Sequence, residues 1–224
     1  MSDSQVSQAV DYGRMVGRSL ASLTDCLIIG ESIPGGTTTA LAVLRGLGFK
    51  AKVSSSIPNN PVELKNQIVN LALGRLTSDN PYHVIAEVGD PMIAFVAGML
   101  SSASEITKVM LAGGTQMAAV LAFASKIGFN EQNTAIGTTS YISNDNSANF
   151  ISLVSEIADI PIIAVNPGLE NSNFSGLKAF SQGFAKEGVG AGGSIIASMI
   201  KTGNDSTHFL TLSEKEYHRL FTSL

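Results

Sequence analysis

Short, continuous apolar runs alternate along this chain with stretches of helical periodicity, and glycine, proline or a polar pair marks most of the junctions. Residues 26–29, 52–55, 83–88, 109–112, 134–137 and 162–165 read as strands. The runs are mostly unbroken rather than alternating, as expected of parallel strands covered on both faces. Between them the spacing predicts helices over 62–76 (Leu64, Ile68, Leu71 and Leu76 on one side), 92–103, 114–126 and 147–157. An opening helix over 7–23 is expected to use Val6, Val10, Met15, Val16 and Leu20. Asn60-Pro61 and Asp90-Pro91 read as cap and first-turn pairs. Ser213-x-x-Glu216 reads as a capping box that starts a last short helix over 212–224. Strands alternating with such helices predict one α/β domain over 1–224: a doubly wound, mainly parallel sheet with helices on both faces. Residues 168–224 form its glycine-rich, helical C-terminal part.

In such sheets ligands bind outside the carboxyl ends of the strands. The polar and glycine positions of this chain fall there: Gly30-Glu31, Gly89-Asp90, Gly113-Gly114-Thr115, Thr138-Thr139 and Asn166-Pro167-Gly168. Each alone is compatible with a tight turn, and together they point to one composite site. The first is the most informative. An apolar run ends at Gly30, passes through Ile33-Pro34-Gly35-Gly36, and opens into Thr37-Thr38-Thr39, a helix start. Backbone N–H groups and the helix dipole favour an anion at such a place. The spacing approaches a nucleotide-binding P-loop, but Gly36 stands where that loop has its lysine, and Glu31 lies inside it. A single phosphate beside a carboxylate fits better than a triphosphate with Mg²⁺.

Composition narrows the classes. With 44% hydrophobic and 14% charged residues the chain forms a packed interior rather than a disordered one. A net charge of −4 and no basic stripe argue against nucleic acid. No apolar run approaches the ~20 residues of a membrane span. The first residues have neither the basic nor the apolar part of a signal peptide. The expectation is a cytoplasmic protein. The single cysteine, Cys26, reads as a small core residue. His83, His208 and His218 lie in unrelated elements without ligand spacing, so no metal site is expected, and no serine sits on a nucleophile elbow.

Lys186–Gly193, KEGVGAGG, contains a formal G-x-G-x-x-G at Gly188, Gly190 and Gly193, but the residues before it read as a helix, not the strand a dinucleotide fingerprint requires. The better reading is a glycine loop opening a helix over 194–200, with Glu187 at its start. Glu187 is then either a solvated capping residue or a carboxylate with a raised pKa that serves as a base. Glu31 is the second carboxylate beside a glycine loop. Two carboxylates and an anion pocket suggest displacement at a sugar carbon. Lys65 is a candidate phosphate ligand, with surface solvation as its alternative, and Asp145-Asn146 could meet ribose hydroxyls.

GESIPGGTTTALAVL, followed by VSSSIPNNPVELK, EVGDPM, VMLAGGTQMAAV and GFAKEGVGAGG, resembles the archaeal branch of the CobT family from about Tyr12 to the C-terminus. These are nicotinate-nucleotide–dimethylbenzimidazole phosphoribosyltransferases and their relatives. Bacterial members read G-E-M-G-I-G-N-T-T where this chain has Gly30 to Thr38, with Ile33-Pro34 for Gly-Ile and Gly36 for Asn. The resemblance implies that Glu187 is the general base, that Glu31 and the phosphate-binding Gly35 and Gly36 carry over, and that Lys65 corresponds to the family's lysine. It implies no cofactor. The expected partners are nicotinate mononucleotide and an azole or purine base, in a homodimer. Family members also carry a segment ahead of this region, so the chain is expected to lack it, or to receive it from a separate N-terminal chain. The competing expectations are a non-catalytic nucleotide-monophosphate-binding module or half-enzyme, and a hydrolase acting on a nucleotide.

Overall fold

The computed structural model describes residues 1–33 and 35–221. Pro34 of the glycine loop and residues 222–224 of the last predicted helix lie outside them. The chain runs α1 (Asp3–Ala21), β1 (Cys26–Gly30), α2 (Gly36–Gly46), α3 (Val62–Leu73), α4 (Pro81–Val88), α5 (Pro91–Ala103), β2 (Lys108–Ala112), α6 (Thr115–Ile127), β3 (Thr134–Thr139), α7 (Ser140–Ser143), α8 (Phe150–Ile157), β4 (Ile162–Val165), α9 (Ser175–Ser181), α10 (Ala191–Thr202) and α11 (Ser206–Phe221). The expected parallel α/β sheet is present, its strands side by side in chain order β1-β2-β3-β4. Gly30 stands level with Ala112, Ala112 with Gly137, and Thr139 with Val165. Parallel strands in chain order, joined by crossovers of the usual hand, are expected to carry their helices on one face, and there Leu44, Ile85, Leu100, Leu111 and Phe123 are fully buried. α10 covers the other face, packing Ile195 and Ile196 against Met110 and Val165.

Glycines set the closest contacts. α1 lies on α5 through Gly13 and Gly17, and a Cβ at Gly13 would fall on the Phe95 carbonyl, as one at Gly98 would on that of Val10. The buried face of α1 is therefore Val6, Val10, Gly13, Gly17 and Ala21. Met15 is 68% exposed and Leu20 40%, opposite to the sequence expectation, because small residues allow a tighter helix crossing than large ones.

Further expectations are corrected. Residues 83–88 are helical, not a strand: the Asn80 side chain accepts from the Tyr82 N–H, and Pro81 opens α4. An apolar run that short carries no period to separate the two. Residues 52–55 join no ladder; Lys52 donates to Asn149, and the Val53 and Ser54 carbonyls accept from Asn60 and Lys65. α3 buries Lys65 and Val69 and exposes Leu64, Ile68 and Leu71. Asn60 caps nothing, since Pro61 holds the cap position. Cys26 is exposed on edge strand β1. Ser213 lies within α11, which starts at Ser206. The helix expected from 147 starts at Phe150, and α10 runs from Ala191 to Thr202, longer than 194–200. Among the described residues no helix is long and apolar enough to cross a membrane.

Candidate active site

At the carboxyl ends of β1, β2 and β3 the chain leaves a cleft of about 270 Å³. One wall is the loop after β1, with Glu31, Gly35, Gly36 and Thr37; a second is the start of α6, with Gly114, Thr115 and Gln116. Ser54 to Ser56 and the 185–188 loop close it. Two helices, α2 and α6, thus present their first turns, whose N–H groups lack intrahelical partners. Gly35 makes the turn into α2 in the left-handed region, φ 72°, where glycine carries no Cβ penalty.

Glu187 is fixed by three donors. One carboxylate oxygen accepts from the Gly192 N–H at 2.7 Å. The other accepts from the Thr139 N–H at 2.7 Å and the Thr138 hydroxyl at 3.4 Å. Burial raises its pKa above the ordinary carboxylate value, and the Gly192 and Thr139 donors oppose that rise without cancelling it. The glycines after it explain the geometry. Cβ atoms at Gly192 and Gly193 would fall on the backbone of Thr138 and on Ala112, and at Gly190 (φ 69°) one would lie 2.7 Å from the Ala112 carbonyl. The apparent dinucleotide motif is thus a helix–sheet crossing that draws α10 onto β2 and β3 and brings Glu187 to the end of β3.

The loop that carries Glu187 is tied down on both sides. The Thr139 hydroxyl donates to the Lys186 carbonyl at 2.7 Å, and the Ala185 N–H to the Ser56 carbonyl at 2.9 Å. Lys186 pairs with Asp145 at 2.7 Å, with both side chains largely buried. Burial would raise Asp145, but Lys186 and the Ser147 donors hold its carboxyl below the ordinary range. Asp145, read from sequence as a ribose contact, is instead engaged by this pair and by Ser147.

Glu31 accepts from the Ile33 N–H at 2.7 Å. Burial raises its pKa, the Ile33 N–H and the Gln116 amide pull it down, and the charge of Asp90 adds to the rise. Asp90 caps α5 through the Ile93 N–H and is itself raised by burial. With residues 83–88 helical, Gly89-Asp90 joins α4 to α5 rather than ending a strand.

Of the residues singled out from sequence, Glu31, Gly35, Gly36, Thr37, Gly114, Thr115, Glu187 and Gly188 line one cleft. Gly89, Asp90, Gly113, Gly190 and Lys65 are not among its lining residues. Lys65 is 6% exposed and donates to the Ser54 carbonyl at 2.8 Å and to Asn60 at 2.9 Å. Burial, and then the charge of Lys186, lowers its pKa. It braces the Ser54–Ser56 wall from behind. Lys65→Met is therefore expected to cost about 1–3 kcal/mol in a urea melt by leaving buried acceptors unpaired, and to raise KM more than it lowers kcat. Unchanged stability would show that the brace is dispensable.

Gln116 was missed. Its signal was there: it is a polar residue inside TQMAAVLAFA, where every position is buried. Among the described residues no group of three or more His, Cys, Asp or Glu side chains is placed to hold a metal.

A family model described as Phosphoribosyltransferase matches residues 1–141. The chain belongs to this phosphoribosyltransferase family. Similar proteins include a UPF0284 protein of Archaeoglobus fulgidus, 43% identical over 220 residues (98% of this chain, 62% of the relative). One of Sulfurisphaera tokodaii is 45% identical over 218 residues (96% and 62%). A relative in Picosynechococcus is 38% identical over 225 residues (95% and 61%). The chain thus spans less than two thirds of the length of these curated relatives. Among solved structures, CobT from Thermus thermophilus superposes with a TM-score of 0.59 at 21% identity, over 74% of this chain and 51% of that one. At that identity the likeness concerns the fold. The family match covers the Glu31, Lys65 and Gly114 regions and stops ahead of Glu187, so the 185–193 loop rests on the geometry above.

Proposed function

We propose that this protein transfers the phosphoribosyl group of nicotinate mononucleotide to a nitrogen of an azole or purine base, with Glu187 as general base. The observation that carries this reading is that Glu31 and Glu187, more than 150 positions apart in sequence, line one cleft together with two helix N-termini. In the proposed reaction the 5′-phosphate rests on the first turns of α2 and α6, where Gly35, Gly36, Thr37, Gly114 and Thr115 expose backbone. The pyridinium nitrogen leaves as the uncharged ring nitrogen of nicotinate, so departure requires no general acid. The unprotonated ring nitrogen of the acceptor attacks the anomeric carbon as the bond to nicotinate breaks, and Glu187 takes the proton that the ring's N–H then loses. A raised pKa suits that role, because a base is most effective when its pKa approaches the working pH. Glu31, acceptor-only when ionised, faces the oxocarbenium-like carbon and stabilises its positive charge. Gly188 keeps the backbone beside Glu187 open to the acceptor. The apolar stripe that α1 leaves exposed (Tyr12, Met15, Val16 and Leu20), continued by Leu23 just past its end, supports a homodimer as the working assembly.

The test is turnover of nicotinate mononucleotide with dimethylbenzimidazole, with adenine, or with no acceptor, following nicotinate release and the nucleotide formed. Release that depends on the acceptor is expected, and the product names the second substrate. Release without acceptor would make the protein a hydrolase. Binding without release would make it a nucleotide-binding module or one part of an enzyme.

A further inference from the structure

Gln116 is 8% exposed and lines the cleft, and its Nε2 lies near enough to the Glu31 carboxylate to lower that group's pKa, yet no acceptor among the described residues stands within hydrogen-bond distance of it. A buried donor left unpaired costs about 1–3 kcal/mol, so a cleft ligand that accepts from it gains affinity. The amide is not there by looseness. Gln116 sits in the first turn of α6, followed by fully buried Met117 to Ala124. Its head group lies against Gly36, where a Cβ would come within 2.6 Å of Oε1 and 2.8 Å of Nε2. The missing side chain at residue 36 is what makes room for it.

Its neighbour across the cleft mouth is the Glu31 carboxylate, which only accepts. A ligand group that meets both must accept from Nε2 and donate to Glu31. A hydroxyl does this. A phosphate oxygen would be repelled by Glu31, and an ammonium would leave Nε2 unpaired. We propose that Gln116 is a specificity-determining residue whose Nε2 donates to the 2-hydroxyl of a ribose 5-phosphate unit while that hydroxyl donates to Glu31, so that the cleft distinguishes ribose from 2-deoxyribose phosphates. The choice of the 2-hydroxyl rests on the proposed function: if Glu31 faces the anomeric carbon, the hydroxyl beside it is the one on C2. A hydrogen bond at that position strengthens as positive charge develops on the sugar, which places the effect on rate as well as on binding.

The test measures binding of ribose 5-phosphate and 2-deoxyribose 5-phosphate by calorimetry to the wild type, Gln116→Leu and Gln116→Glu, with thermal unfolding to show that both variants fold. The wild type is expected to prefer the ribose form by about tenfold, the ratio that one hydrogen bond of ~1.4 kcal/mol supplies. Both variants are expected to bring the preference within about twofold, by weakening the ribose form and not the deoxyribose form. Gln116→Glu keeps the length of the side chain and removes the donor, which separates hydrogen bonding from packing. A variant that keeps the wild-type preference, a wild type without one, or a wild type that binds neither sugar phosphate would overturn the proposal. The mononucleotide assay is read separately. A Gln116-dependent ribose preference in a protein that does not release nicotinate would uphold the clamp and sink the transferase reading. Nicotinate transfer by a protein whose preference ignores Gln116 would do the reverse.

Discussion

Glu187→Gln is expected to lower kcat by about 10²–10⁴-fold, the usual contribution of a positioned general base, while mononucleotide affinity changes little. In the proposed reaction Glu187 meets the substrate through proton removal, whereas the phosphate rests on the starts of α2 and α6. The base works only when deprotonated, so kcat/KM of the wild type should climb as pH rises through the Glu187 pKa. Burial lifts that pKa, and the climb is expected above the ordinary carboxylate range. The Gln variant should lose that limb of the profile. Steady-state turnover from pH 4 to 8, with mononucleotide binding measured alongside, decides the matter; a variant with wild-type kcat and an unaltered acid limb would remove Glu187 from the chemistry. Gln can accept from only one of the two N–H donors that Glu187 now satisfies at 2.7 Å, so its thermal unfolding belongs with the kinetics.

Gly192→Ala should act on both stability and rate. A Cβ at residue 192 would fall on the Thr138 backbone, which cannot rotate away as a side-chain tip can. α10 must shift off β3, and the expected loss is about 1–3 kcal/mol, as for other overpacked sites. The same shift breaks the geometry in which the Gly192 and Thr139 N–H groups hold Glu187 from two sides. A fall in kcat of at least about tenfold is therefore expected even at temperatures where the variant is fully folded, an outcome in line with the sensitivity of catalysis to small displacements. Urea melts and turnover on the same preparation provide the comparison. Gly176→Ala, at a site outside the cleft lining where the Cβ meets the tip of the Tyr217 side chain, serves as a control for glycine replacement as such. Equal kinetic losses in the two variants would show that the α10 crossing has no special hold on Glu187.

Much of this was legible from residue order. The strands at 26–29, 109–112, 134–137 and 162–165 are in place; all but 134–137 (Thr-Ala-Ile-Gly) are continuous apolar runs. The Asp90-Pro91 start of α5 is a local hydrogen-bonding pattern, and it holds as read. The loop after β1 was recognisable because strand, glycine turn and helix start are contiguous. Where the reading failed, the information was not local. Residues 83–88 offered apolar content without a period, and Asn80 decided the outcome from outside the run. On α1 and α3 the large apolar residues point outward, because Gly13 and Gly17 on one helix and Lys65 on the other are what the neighbouring chain segments fit.

The sequence by itself determined a parallel α/β sheet, two glycine-flanked carboxylates and an anion-favouring helix start, since each depends on neighbours within a few residues. Only the tertiary structure decided that Glu31 and Glu187 face the same cleft, that Lys65 braces a wall behind it, and that a buried amide at Gln116 points into it unpaired. Those facts depend on how closely α10 can approach β3 and α6 can approach α2. That distance is set by side chains that are absent, at Gly192, Gly193 and Gly36, and the effect of a missing side chain is defined only by what packs against it.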